Sequence, residues 1–117
     1  MIRPGTPADY PAAAAIYRRA SLSNAGDRDE LLAHPDHLIL PGDGLAERRT
    51  YVAEEAGSVV GFATWTQTGD GVELEDLFVD PNWMRRGIAT TLVARIVDIG
   101  NATTEFGTAP RMALVIR

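Results

Sequence analysis

The sequence contains no cysteine, which excludes disulfides, thiolate nucleophiles and thiolate-bound zinc. It also lacks lysine, all 11 of its basic residues being arginine. We read this as base-composition bias, and it removes Schiff-base and lysine-base chemistry. No apolar run approaches the length of a membrane span, and Met1-Ile2-Arg3-Pro4 does not open a signal peptide. A cytoplasmic protein with no membrane partner is therefore expected. Positive charge is scarce, since 16 acids leave a net charge of −5, and this argues against a nucleic-acid partner. With 117 residues there is no room for a second domain, and no repeat of solenoid period is visible. A single domain over residues 1–117 is expected, burying roughly two-thirds of the surface its unfolded chain exposes.

What is present changes period along the chain. Ile2-Arg3-Pro4 reads as an edge strand, because Pro4 has no N–H to give a central one. Asp9 stands as an N-cap with Pro11 in the first turn, and Ala13, Ile16, Tyr17 and Ala20 follow at helical spacing. Residues 27–33 read as a second, short helix that Pro35 stops, and residues 41–49 as a loop. Residues 50–55 and 58–67 are rich in Val, Thr, Tyr, Phe and Trp, with Ala56-Gly57 as a hairpin turn. A second turn at residues 68–71 feeds a third strand over residues 72–79, which Asp80-Pro81 ends. Ile88, Leu92, Ile96 and Ile99 mark the apolar stripe of a helix over residues 86–99, with Gly100 at its C′ position. Residues 111–117 carry a short continuous apolar run, suited to a strand buried on both faces. The expected fold class is α/β with a mixed sheet: an antiparallel meander, then a parallel strand–helix–strand unit of right-handed crossover.

The segment from Val72 to Thr90 carries the chemistry. Its second half sets Arg85, Arg86, Gly87 and Ala89 at a loop-to-helix junction. Helix N-termini present unpaired N–H groups and the positive end of a dipole. Small residues let a phosphate approach the backbone, and two arginines add charge, so a pyrophosphate is the natural guest. A P-loop and the three-glycine dinucleotide fingerprint are both absent.

Leu-Glu-Asp-Leu-Phe-Val-Asp-Pro over residues 74–81, followed by Arg-Arg-Gly-Ile-Ala over residues 85–89, resembles the acyl-CoA-binding core of the GNAT superfamily of N-acetyltransferases. That family's signature, Gln/Arg-x-x-Gly-x-Gly/Ala, falls here on Met84 to Ala89, with Met84 departing from it and Ala89 the allowed alternative to glycine. The resemblance covers nearly the whole chain. It implies a bulge in the strand before the signature, splaying that strand from its parallel neighbour. It implies that backbone groups of Leu77, Phe78 and Val79 pair with the pantetheine arm of acetyl-CoA in the manner of an added strand. Amides of Arg85, Arg86, Gly87, Ile88, Ala89 and Thr90 would hold the pyrophosphate. The implied activity is acetyl transfer from acetyl-CoA to a primary amine by direct attack, with strand amides near Phe78 stabilising the tetrahedral intermediate. The acceptor is a small molecule or a peptide.

The attacking amine must lose a proton. Glu73, Glu75 and Asp76 are the candidate bases; Glu73 is ranked first, because the resemblance implies that some family members place their glutamate eleven positions before the signature, and Glu75 second. Strict alternation would point Glu73 and Glu75 one way and Asp76 the other, and two carboxylates on one face would raise each other's pKa. The family implies a further helix and strands beyond residue 116, carrying a tyrosine that reprotonates the thiolate. The sequence ends at Arg117, so the fold is expected without them. Tyr10, Tyr17 and Tyr51 lie in other elements than that tyrosine. A homodimer covering the last strand is expected, and a non-catalytic acyl-CoA- or partner-binding domain is the rival reading.

His34-Pro35-Asp36-His37 suggests a metal site, but the prolyl break prevents helical ligand spacing and no third ligand is evident. No metal is expected. The family resemblance implies instead that residues 21–37 shape the acceptor pocket and set its specificity. Trp65 and Trp83 read as packing residues.

Overall fold

The structure is a computed structural model that describes residues 1–23, 26–69, 71–103 and 112–114. Five strands form one sheet in sequence order: β1 (Ile2–Pro4), β2 (Thr50–Glu55), β3 (Ser58–Thr68), β4 (Gly71–Val79) and β5 (Met112–Leu114). The first four are antiparallel neighbours, and β5 lies parallel to β4. This is the meander and parallel unit expected from the sequence. Arg111 and residues 115–117 of the expected last strand, and Asp70 of the second turn, lie outside the described residues.

Helices cover both faces. The helix α1 (Tyr10–Leu22), with the short α2 (Arg28–Ala33) and α3 (Asp43–Ala46), lies on one side, and α4 (Ile88–Thr103) on the other. On the α4 face, Ile88, Leu92 and Ile96 meet Val72, Leu74, Ala63 and Ala53. On the opposite face, Ala13 and Ile16 meet Val52, Phe62, Leu40 and Leu45. Each large side chain fully buried in this way contributes about 1.5–3 kcal/mol.

Local expectations fail in three places. Residues 41–49 are not all loop: Asp43 opens the single turn α3, fixed by the burial of Leu45. Gly100 does not end α4, which runs on to Thr103. A Cβ there would meet Val72 at an ordinary 3.9 Å, so no close approach demands glycine at this position, and the helix runs through it despite its poor helix propensity. Asp9 precedes α1 but makes no cap bond with its side chain. Instead its carboxylate accepts two bonds from Arg3, each 2.9 Å, and one from the Thr6 amide at 2.8 Å. The Arg3 bonds above all hold Asp9 down at a pKa of about 2.

Candidate active site

The site grows from an irregularity in β4. Its pairing with β3 shifts register between Thr64 and Trp65, so that Thr64 faces Asp76, Trp65 faces Leu74, and Glu75 is the extra residue. Such a bulge turns two successive side chains to one face. Val72 and Leu74 before it, and Leu77 and Val79 after it, all pack toward α4. Glu75 and Asp76 both turn to the α1 face, where they line one cavity. The expected alternation, with Asp76 opposite Glu75, is corrected by this bulge. Among the described residues the parallel pairing with β5 ends at Leu74, immediately before it.

The cavity beneath the bulge measures about 240 Å³ and is lined by Tyr17, Gly44, Thr50, Thr64, Glu75 and Asp76, among others. Gly44 forms part of its wall because nothing larger fits: a Cβ would come within 2.5 Å of Thr64 Cγ2 and 2.8 Å of Thr50 Oγ1. The Thr50 and Thr64 hydroxyls satisfy each other at 2.7 Å. Glu75 Oε2 accepts from Arg49 Nη1 at 3.0 Å. Burial works against the Arg49 charge, yet its bonds to Glu47 and Glu75 raise its pKa.

Tyr17 separates this cavity from a wider one of about 580 Å³, lined by Ser21, Asp27, Glu30, Leu31, His37 and Phe78. The Tyr17 ring meets Phe78 edge-on with centroids 4.9 Å apart, and its hydroxyl donates to the His37 carbonyl at 3.1 Å. Burial, and then the charge of Asp76, push the Tyr17 pKa up. Chain order set Tyr17 apart from the reacting strand, but the packing of α1 across β4 brings it to Phe78.

Beyond β4 the chain turns sharply. Asp80 accepts from the Asn82 amide at 3.0 Å and from Arg19 Nη2 at 2.6 Å. Arg85 and Gly87 are left-handed, at φ 64° and 78°, on either side of Arg86. Alternation of this kind turns successive N–H groups toward one side. Thr91 makes the first bond of α4, to the Gly87 carbonyl at 3.0 Å, so the amides of Ile88, Ala89 and Thr90 have no intrahelical acceptor. A cleft of about 190 Å³ opens over this turn, lined by Val79, Trp83, Met84, Arg85, Gly87, Ile88, Ala89 and Thr90. Arg86 lies 4.7 Å from the centre of the Trp83 ring. Trp83 is therefore both packing, as expected, and a wall of the cleft. Trp65 packs toward α4 with its Nε1 buried and without a hydrogen-bond partner among the described residues.

Most of the expected binding residues thus meet at one cleft. Phe78 borders the wider cavity on the other face of the strand, and Leu77 packs on the α4 core. Glu75 lines the cavity at the bulge, whereas Glu73, paired with Thr66 two residues earlier, is not among its lining residues. Sequence reasoning named Asp76 as a candidate but put it on the wrong face, and it missed Thr50, Thr64, Gly44, Arg49 and Tyr17 as members of the site. His34 and His37 stack on each other with ring centres 5.3 Å apart. Among the described residues no group of three His, Asp or Glu could hold a metal ion, and no helix is long and apolar enough to cross a membrane.

A bulged strand with helices on both faces, leading through a left-handed turn into a helix whose first amides border a cleft, defines this α/β domain. The model of the acetyltransferase (GNAT) family matches residues 12–113, and the chain belongs to that family. No curated protein matches it. Among solved structures, a mutant protein from Bacillus halodurans superposes with a TM-score of 0.74 at 16% identity, covering 100% of this chain and 81% of its own. An acetyltransferase-like protein from Pyrococcus horikoshii gives 0.65 at 20% identity over 87% of this chain. N-acetylglutamate synthase from Neisseria gonorrhoeae, solved with coenzyme A and N-acetyl-glutamate, gives 0.58 at 25% identity over 84% of this chain. The chain spans 34% of the Pyrococcus protein and 22% of the synthase.

Proposed function

We propose that this domain transfers an acetyl group from acetyl-CoA to a primary amine. The observation that carries this reading is the junction of the half of β4 beyond the bulge with the turn at Arg85–Gly87. The cleft there is bordered by Gly87, Ala89 and Thr90 among larger residues, and the helix-opening amides supply the donors that a diphosphate would take. Arg85, Arg86, Gly87, Ile88, Ala89 and Thr90 hold the pyrophosphate, and the backbone of Leu77, Phe78 and Val79 takes the pantetheine arm as an added strand.

Acetyl-CoA, as co-substrate, supplies a thioester whose acyl carbon bonds to the amine nitrogen as the carbon–sulfur bond breaks; coenzyme A leaves as the thiolate and takes up the second proton that the nitrogen loses. The acceptor enters from the α1 face, where Asp43, Glu75 and Asp76 line the cavity and suit an ammonium group. Of the expected bases, Glu75 and Asp76 line that cavity and Glu73 does not, and Glu75, ranked ahead of Asp76, is the one we carry forward. Its carboxylate takes the ammonium proton, directly or through one water, and strand amides near Phe78 polarise the thioester.

Isothermal titration of the full chain with acetyl-CoA is the direct test, with saturable binding as the expected result. No heat of binding at millimolar ligand rejects the reading. Release of the coenzyme thiol across a panel of amines then tests transfer. Glu75→Gln is expected to lower turnover roughly 10²–10⁴-fold with acetyl-CoA binding retained.

A further inference from the structure

We infer that Arg49 is a positioning residue for this reaction: it fixes the β4 bulge and aims the Glu75 carboxylate into the acceptor cavity. The inference rests on the reading of Glu75 as the base.

Arg49 immediately precedes β2, and its own N–H is spent on the Gly44 carbonyl at 2.7 Å. It therefore cannot supply the amide with which a longer β2 would meet Trp65. Its carbonyl accepts the Trp65 N–H at 2.9 Å, and its side chain makes good the missing donor, Nη1 giving a bond to the Trp65 carbonyl at 2.7 Å. Trp65 is where the β3–β4 register shifts, so Arg49 closes the ladder at the irregularity that creates the site. The same Nη1 reaches past β3 to Glu75 Oε2 at 3.0 Å. Nε and Nη2 are held in turn by Glu47 Oε1 at 3.0 and 2.6 Å, which fixes the plane of the guanidinium. One side chain thus joins α3, β3 and β4 around the cavity.

Only a planar group with several donors in fixed directions can serve Trp65, Glu75 and Glu47 together. A lysine at this position keeps the charge and loses the fork. Arg49 touches neither the acceptor nor the thioester in this account. It acts through Glu75.

The test is a set of full-length variants, Arg49→Lys, Arg49→Met, Glu75→Gln and the double variant Arg49→Met/Glu75→Gln. Each is assayed for kcat and KM on a turned-over amine, for acetyl-CoA affinity by titration, and for fold by circular dichroism. Misplacing a catalytic group costs roughly 10–100-fold. Arg49→Met is accordingly expected to lose that much kcat with acetyl-CoA affinity within about twofold, and Arg49→Lys to recover part of it. In the Glu75→Gln background the same substitution should cost little, because the group it positions is gone. Equal losses in both backgrounds, or an unaffected kcat in Arg49→Met, overturn the inference while leaving the transferase reading intact.

A wild-type chain silent toward every amine instead sinks the transferase reading. The positioning claim is then decided by a measurement that needs no turnover, the ¹³C chemical shift of the Glu75 side-chain carboxyl at neutral pH. It moves in Arg49→Met if Arg49 holds that carboxylate, and an unmoved resonance overturns the claim. Should Arg49→Met not fold, Arg49→Lys carries both measurements with the same directions.

Discussion

The two halves of β4 have similar compositions and different fates. From Gly71 to Leu74 the strand is paired with β3 on one side and β5 on the other, and Val72 and Leu74 are almost wholly buried. From Glu75 to Val79 it keeps β3, its residues are all half-buried, and both cavities and the cleft border it. A strand paired on both edges has spent its amides and carbonyls. Among the described residues the strand has no partner on that edge beyond Leu74, and an edge without a partner keeps its amides and carbonyls unspent. The bulge at Glu75 marks the boundary, so one extra residue separates scaffold from site.

The sharpest break in this comparison should come from the closed half. Leu74→Ala removes a fully buried side chain and is expected to cost about 2–5 kcal/mol of folding stability. Leu77→Ala, beyond the bulge and only half-buried, should cost clearly less. Urea denaturation of the two variants decides the matter, and equal costs would mean that the bulge does not divide the strand energetically.

Gly44→Ala sharpens the comparison from the cavity side. The added methyl has no room beside Thr64 and Thr50, so overpacking of about 1–3 kcal/mol accompanies partial filling of the acceptor cavity. Since the cleft over α4 lies elsewhere, the expected pattern is a raised KM for the amine with acetyl-CoA affinity preserved. Loss of both together would show that the two spaces do not act separately.

How far the sequence foretold this arrangement follows from which effects are local. The strand periods, the Ile88–Leu92–Ile96 stripe and the small residues at the turn after Pro81 depend on neighbours a few positions away, and they read directly. The bulge does not, because it is a property of register between two strands. Nothing in Glu75-Asp76 announces that both side chains share a face. Arg49, Gly44 and Tyr17 enter the site through bonds and contacts to residues far along the chain, Arg49 to Trp65 and Glu75, Gly44 to Thr64 and Tyr17 to Phe78. Gly100 shows the converse failure, a residue whose local preference is to end a helix and through which α4 nonetheless continues to Thr103.

The smallest effect concerns the far end of the half beyond the bulge, where Asp80 fastens the turn. Burial works against its charge, but the Asn82 amide and the Arg19 guanidinium together hold its pKa below the ordinary 3.8. A carboxylate depressed on folding contributes stability in full above its unfolded value, and loses it as pH falls through its folded value. The window for Asp80 therefore opens near pH 3.8 and extends below it. Arg19 is half-exposed, so Asp80→Asn should cost no more than about 1 kcal/mol at neutral pH. Its stability curve should converge on the wild type as the pH falls through this window, where both side chains are neutral. Urea denaturation at pH steps from neutrality into acid reads this convergence, while exchange of the Asn82 and Trp83 amides reports whether the loss is confined to the turn. A constant gap between the two curves would mean that the Asp80 charge does nothing, and that the half of β4 beyond the bulge is held at its far end by backbone geometry alone.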